Sequence, residues 1–306
     1  MGTLKVTWLA TRVAGRFSAR LAGIFAARLW FTPWPVPMSD GAQIKQAEWL
    51  TEGDPTAFHV DGQDIAAFTA GEGPTVLLVH GWGESAASLG GMVTPLVTAG
   101  YRVVGIDLPG HGRTSTRRTD IFELASAVWG VVNQLGGVHA VVAHSLGGYA
   151  TIEALGQGLL ADSVVLIAPA TNVDHALERF SVLFQLSPKA SSGLRSNIQR
   201  RFGVGVWARL DALALAKGFS VPALIIHDTD DPQVDLADSE MLADSWPDAR
   251  VFTTTGLGHS KIVRDPLVIQ EIERFLIDPS GSCAPEVVRL YAEHPRSLPR
   301  RERAAV

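Results

Sequence analysis

Five short runs, "TVLLVHG" (75–81), "YRVVGID" (101–107), "HAVVAHS" (139–145), "DSVVLIAP" (162–169) and "VPALIIHD" (221–228), are rich in Val, Ile and Leu and show no polar alternation. A strand with one wet face alternates, so an unbroken apolar run of this length belongs to a strand covered on both faces. Helical stretches of suitable length, 86–99, 120–135 and 146–159, separate most of them. Strand, helix, strand in succession predicts an α/β fold: a mostly parallel central sheet with right-handed crossovers, flanked by helices. Ahead of it, "AFHVDGQDIAAFTAG" (57–71) has a turn-like "DGQD" between two strand-like pieces, which predicts an antiparallel hairpin at the sheet edge. The stretch between Pro169 and Val221 is too long for one crossover and reads as several helices. Residues 172–216 are therefore expected to form a helical cap above the carboxyl ends of the strands, the edge where open parallel sheets bind ligands.

Three segments follow: 1–38, a domain over 39–278 that includes the cap, and a tail over 279–306 rich in Pro, Arg and Glu. The first segment has no Asp or Glu but carries Lys5, Arg12, Arg16, Arg20 and Arg28. Leu9, Val13, Phe17, Leu21, Ile24 and Phe25 form a neighbouring apolar stripe, so a helix here would be amphipathic with a cationic edge. The arginines interrupt it too often for a bilayer span or a secretory signal. Either it docks on the main domain or it makes reversible contact with an anionic membrane surface or a partner. "FTPWPVP" ends it, since three prolines in five positions cannot continue a helix.

A net charge of −5 over 306 residues is too mild for a nucleic-acid binder. The single cysteine, Cys283, can form no internal disulfide and no thiolate cluster, which fits a reducing, cytoplasmic setting and gives no metal site.

The chemistry centres on "VVAHSLGG" (141–148). A strand that ends near Ala143, turns at Ser145 and enters a helix at Leu146 must reverse within about three residues, which strains the serine and projects its side chain outward. Ala143 and Gly147, two residues to either side, are small enough to permit the turn. The usual pattern is G-x-S-x-G, with alanine here in place of the first glycine. A serine at a helix start can equally be an ordinary cap.

Its context favours a nucleophile. "HGWGE" (80–84) ends a strand in a glycine-containing loop, and the N–H groups of Trp82 and Leu146 are the candidates for an oxyanion hole. "HDTDDPQVD" (227–235) brings acids to the same edge, where Asp228, Asp230, Asp231 and Asp235 compete to orient a histidine. "TTTGLGHSKIVRDP" (253–266) sets His259 in a glycine-flanked loop before the last helix.

Serine, aspartate, histidine is the chain order of the α/β-hydrolase fold. The segment from about Phe58 to Leu276 resembles a serine-esterase member of that superfamily through "LLVHGWG" (77–83), "GIDLPGHGRTS" (105–115), "VVAHSLGG" (141–148), "LIIHDTDDPQV" (224–234) and "GLGHSKI" (256–262). The resemblance selects among the acids: the family's loop runs His-Gly-x-x-Asp, which falls on Asp231 and puts Asp228 in the glycine position. In "DLPGHGRTS" it implies that Asp107 and Arg113 shape a loop rather than react. Haloalkane dehalogenases and epoxide hydrolases are similar in fold but use an aspartate nucleophile, so Ser145 argues against both chemistries.

The implied activity is hydrolysis of a carboxylic ester or thioester by Ser145, His259 and Asp231 through an acyl-enzyme, with no cofactor or metal, acting on a small-molecule acyl substrate. The alternatives are a carbon–carbon bond or amide hydrolase of the same fold, or a binding module without turnover. Phe180, Leu183, Phe184, Leu186, Phe202 and Trp207 in the cap are candidates for an acyl pocket or for plain core. Arg195, Arg200, Arg201 and Arg209 make the cap basic, either as a solvated face or toward an anionic acyl or carrier group.

Overall fold

The structure is a computed structural model that describes residues 18–35, 54–114 and 116–280. Leu9, Val13, Phe17, the basic residues at positions 5, 12 and 16, Cys283 and nearly all of the 279–306 tail lie outside the described residues.

In chain order the helices are α1 (Ala19–Trp30), α2 (Val93–Thr98), α3 (Ile121–Leu135), α4 (Leu146–Gly156), α5 (Val173–Leu183), α6 (Pro188–Phe202), α7 (Val206–Arg209), α8 (Ala212–Ala216), α9 (Leu236–Ser245), α10 (Gly258–Lys261) and α11 (Pro266–Ile277). The strands are β1 (Asp54–Val60), β2 (Gln63–Ala70), β3 (Thr75–Val79), β4 (Arg102–Ile106), β5 (Val138–His144), β6 (Ala161–Ile167), β7 (Ala223–Asp228) and β8 (Ala249–Thr254). All eight strands join one sheet in the order β1-β2-β4-β3-β5-β6-β7-β8. β1 and β2 form the antiparallel edge, and from β4 onward neighbouring strands run parallel. The edge hairpin turns on Asp61 and Gly62, both at positive φ (48° and 78°), a two-residue turn that suits an Asp-Gly pair.

The unalternating strands are buried on both faces, as their sequences predict. Leu77, Val79, Val141 and Ala143 pack into one core with α3 and α4. Val76, Leu78, Ala140 and Val142, one position out of step, pack into the other with α2 and α11. Asp120 caps α3 by accepting the Phe122 and Glu123 N–H groups, and Gly136 ends it in the left-handed conformation at φ 75°.

Two local expectations change. Residues 86–99 do not make one helix: a 3₁₀ turn over Ala86–Met92 precedes α2. The Gly90-Gly91 pair is a poor helix former, and the Asp107 carboxylate takes the Ala86 N–H at the start of the segment.

The second change concerns α1. It lies on α6, but its inward stripe is Ala22, Ala26 and Leu29, while Leu21 and Ile24 are 52% and 37% exposed. Closeness selects the small face. A Cβ on Gly23 would lie 2.4 Å from the Gly193 carbonyl carbon, so the two backbones meet where neither residue has a side chain. No helix among the described residues is long and apolar enough to cross a membrane.

Between β6 and β7, α5 to α8 fill residues 173–216. α1, α5 and α6 bring side chains to the cavity beside Ser145 and Asp231, which follow β5 and β7, whereas α8 packs against α4 and α9.

Candidate active site

Ser145 leaves β5 and opens α4 with φ 52° and ψ −120°, a strained conformation for a side chain with a Cβ. Its hydroxyl makes no helix-cap hydrogen bond, which removes the reading of an ordinary cap. The backbone fixes the turn: Ser145 N–H donates to the Ile167 carbonyl at 2.9 Å, and its own carbonyl accepts from Gly148 and Ala170. A Cβ at Gly147 would sit 2.3 Å from the His80 carbonyl oxygen, so this glycine lets the elbow rest on the end of β3.

The other two residues come from separate loops. Ser145 Oγ is 3.0 Å from His259 Nε2, and His259 Nδ1 is 2.7 Å from Asp231 Oδ2. With the imidazole proton on Nδ1, that N–H donates to Asp231 and Nε2 is free to accept from the serine hydroxyl. Asp231 Oδ1 accepts the Gln233 and Val234 N–H groups. Burial pushes the Asp231 carboxyl up, but the hydrogen bond and charge of His259, with those two N–H groups, outweigh it and hold it below the usual carboxylate range. His259 is 7% exposed. Burial, with the nearby His144, pulls its pKa below the ordinary histidine value against the opposing pull of Asp231.

The competing acids have other partners. Asp228, buried at the end of β7, accepts from Thr254 Oγ1, Leu257 N–H and Asp230 N–H, tying the Asp231 loop to the loop that carries His259. The side chain in the glycine position therefore acts as a brace. Asp235 caps α9, and Asp230 is exposed. Asp107 accepts the Ala86 and Arg113 N–H groups and shapes its loop.

The turn after β3 closes when Glu84 N–H donates to the Gly81 carbonyl, with Gly83 at φ 76° supplying the left-handed residue a type II turn needs. It abuts the elbow: a Cβ at Gly81 would lie 3.0 Å from Ser145 Cβ. Trp82 and Leu146 line the same cavity as Ser145 and His259. Leu146 is the first residue of α4, so its N–H has no carbonyl one turn behind it.

That cavity encloses about 730 Å³. Phe180 and Leu183 of α5 and Phe202 of α6 line it, whereas Phe184, Leu186 and Trp207 pack against the core. Sequence reasoning missed Trp30, Phe31 and Trp34, which come from the amino-terminal segment and form part of the wall. Trp30 meets Phe180 edge-on at 5.1 Å, and Trp34 meets Phe184 at 4.9 Å. Three aromatic residues within five positions, with Pro33 among them and Pro35 directly after, were the available signal. A second hollow of about 780 Å³ lies at the opposite edge, beside the amino ends of β3, β5 and β6, away from this chemistry. All four arginines of this stretch have partners: Arg195 pairs with Asp174, Arg200 donates to Asn197 Oδ1, Arg201 pairs with Asp120, and Arg209 covers the Phe122 ring.

The profile of the alpha/beta hydrolase family matches residues 76–271. The chain belongs to this family. Among curated relatives, the chain is 24% identical over 239 residues to a pimeloyl-[acyl-carrier protein] methyl ester esterase of Nitrosomonas europaea, covering 65% of this chain and 93% of that one. It is 43% identical over 81 residues to epoxide hydrolase B of Mycobacterium tuberculosis, where the match spans only 23% of the relative's length and 25% of this chain. In fold it is similar to an esterase from Rhodococcus sp. ECU1013 (TM-score 0.56, 21% identity, 74% of this chain and 99% of that one). It also resembles a thermophilic esterase from Thermogutta terrifontis (TM-score 0.56, 17% identity, 73% of this chain and 98% of that one).

Proposed function

We propose that the hydrolase cleaves a carboxylic ester or thioester through an acyl-enzyme on Ser145. The observation that carries this reading is the hydrogen-bonded row from Asp231 to His259 to Ser145, at 2.7 and 3.0 Å, ending on a serine at positive φ.

A serine hydroxyl is a weak nucleophile at neutral pH. As Ser145 Oγ bonds to the substrate carbonyl carbon, His259 Nε2 takes the hydroxyl proton, and Asp231 stabilises the imidazolium that forms. The carbonyl oxygen becomes an oxyanion, for which the N–H groups of Trp82 and Leu146 are the donors; loss of one such donor in a serine protease costs about 10²–10³ in rate. The carbon–oxygen or carbon–sulfur bond then breaks, and the leaving group departs with the proton from His259. Water, deprotonated by the same histidine, attacks the acyl carbon and releases the acid and free Ser145. None of these steps calls on a metal or an organic cofactor. The apolar cavity supports an acyl substrate with a hydrocarbon portion, and the esterase names of several relatives agree with that class.

Labelling with a fluorophosphonate tests the reading. Wild-type protein should label at Ser145, and Ser145→Ala should abolish both labelling and turnover of p-nitrophenyl esters. Folded wild-type protein that fails to label overturns the proposal, and labelling that survives S145A rejects the choice of nucleophile. A panel of oxyesters, thioesters and amides then ranks the leaving groups.

A further inference from the structure

Two fully buried histidines, His80 and His144, lie beneath the elbow, and their partners require different protonation states. His80 Nδ1 donates to the Gly81 carbonyl at 2.7 Å, and Nε2 accepts the Leu108 N–H at 3.0 Å. One donated and one accepted bond define a neutral ring. Burial accordingly brings the His80 pKa down to about 4.

His144 is bonded differently. Its Nδ1 is 3.1 Å from Glu84 Oε2, and its Nε2 is 3.0 Å from the backbone carbonyl of His259. A carboxylate and a carbonyl both accept, so each ring nitrogen carries a proton and the ring is an imidazolium. Glu84 Oε2 also accepts the Gly81 N–H at 3.0 Å, at the base of the turn that carries Trp82. Three separate segments therefore converge on one ion pair: the turn after β3, the end of β5 one residue before Ser145, and the backbone of His259.

We propose that Glu84 and His144 are positioning residues for the reaction, a buried carboxylate–imidazolium pair that locks the oxyanion turn, the nucleophile elbow and His259 into one rigid unit. The pair also sets the electrostatics of His259. The two imidazole rings are 4.8 Å apart, and a charge on His144 disfavours a second charge on His259. The groups facing His144 are Glu84, Asp231, His80 and His259; those facing His259 are Asp231, Glu84 and His144. Glu84 offsets part of the His144 charge. Burial pushes the Glu84 carboxyl up, yet His144 and the Gly81 N–H hold it down to about 2, while Glu84 raises His144 above the ordinary histidine value against burial. These directions agree with the hydrogen-bond pattern, in which Glu84 accepts twice and both His144 ring nitrogens face acceptors. A base kept neutral in the resting enzyme accepts the Ser145 proton, and its conjugate acid gives that proton readily to the leaving group.

This inference rests on the serine-hydrolase reading for its catalytic consequence, but the ion pair can be measured without it. In wild-type protein, ¹⁵N NMR at pH 7.5 should show a histidine with both ring nitrogens protonated, assigned to His144 by its loss in His144→Gln. A neutral His144 overturns the proposal whether or not Ser145 labels with a fluorophosphonate, and failure of Ser145 to label overturns only the serine-hydrolase reading.

In the active enzyme, H144Q and E84Q should each lower kcat by about 10–10² with KM little changed, the range expected when reacting groups lose alignment. The double variant should fall no further than the worse single one, because each acts through the other. H144Q should also move the acid limb of the kcat/KM profile to higher pH, since a positive neighbour of His259 is removed. Folded H144Q with kcat within twofold of wild type and an unmoved acid limb means that the pair only supports the fold, which refutes the positioning role. If H144Q does not fold, the doubly protonated signal is assigned instead by its loss in E84Q, where the partner carboxylate is gone, and E84Q still reads the kcat effect.

Discussion

Replacing Gly23 with leucine should damage both stability and acyl-chain selectivity, because the α1–α6 crossing has no room for a side chain. The first atom added would sit 2.4–2.6 Å from three backbone atoms of Gly193. Carbon atoms at ease lie about 3.5–4.0 Å apart, so the helices must separate by about 1–1.5 Å. Overpacking of this kind costs about 1–3 kcal/mol, and backbone on both sides of the contact puts Gly23→Leu near the upper end. Leucine's better helix propensity returns about 0.8 kcal/mol. A net loss of about 2 kcal/mol corresponds to a Tm lower by about 4–8 °C for a domain of this general size. α1 leads directly into Trp30, Phe31 and Trp34 on the cavity wall, so its displacement uncovers part of a bound acyl chain. Losing the burial of about two methylenes costs about 1.6 kcal/mol, more than tenfold in kcat/KM. Thermal unfolding and kcat/KM for p-nitrophenyl acetate and decanoate measure both effects: Tm falls, decanoate loses more than tenfold, and acetate changes little. Ile24→Ala, at a 37% exposed position, is the control and should move stability by less than about 0.5 kcal/mol. A G23L protein with wild-type Tm and an unchanged decanoate-to-acetate ratio would refute both the tight crossing and the role of α1 in the wall.

The remaining expectations concern the site itself. The pH profile of kcat/KM should rise with pH as His259 loses its proton; because burial and His144 depress that pKa, the midpoint should lie below the ordinary 6.5, and a midpoint at 7 or above contradicts the environment described. Asp231→Asn keeps the shape but removes the charge that stabilises the imidazolium, so kcat should drop by about 10⁴, as in the well-studied serine protease case, with little change in Tm. Asp228→Ala leaves the Thr254 hydroxyl and the Leu257 and Asp230 N–H groups without their acceptor; a loss of about 2–4 kcal/mol in urea unfolding is expected, with a lower kcat because Leu257 lies two residues before His259, and unchanged stability would show that the brace carries no load.

Most of the sheet was legible because strands buried on both faces must be apolar throughout, a constraint written residue by residue. The elbow was legible for a related reason: a strand that turns into a helix around a serine needs small neighbours, and Gly147 has none to spare against the His80 carbonyl. The selection of Asp231 was not contained in local sequence, where four acids stood in one loop; it took the family resemblance to prefer one, and the distance to His259 to report what it touches. The 3₁₀ turn over Ala86–Met92 escaped because its start is held by Asp107, from another strand end.

What the sequence determined by itself is the set of properties that short-range constraints encode: apolar runs, turns that demand glycine, and the order of the reactive residues along the chain. Only the tertiary structure decided which face of α1 turns inward, that its aromatic residues reach the cavity, that Asp228 is a brace, and that His80 accepts a backbone N–H while both ring nitrogens of His144 face acceptors. Each of these depends on which donors and acceptors meet across segments far apart in the chain, and a side chain's charge state or inward face is fixed by its neighbours in space rather than by its neighbours in sequence.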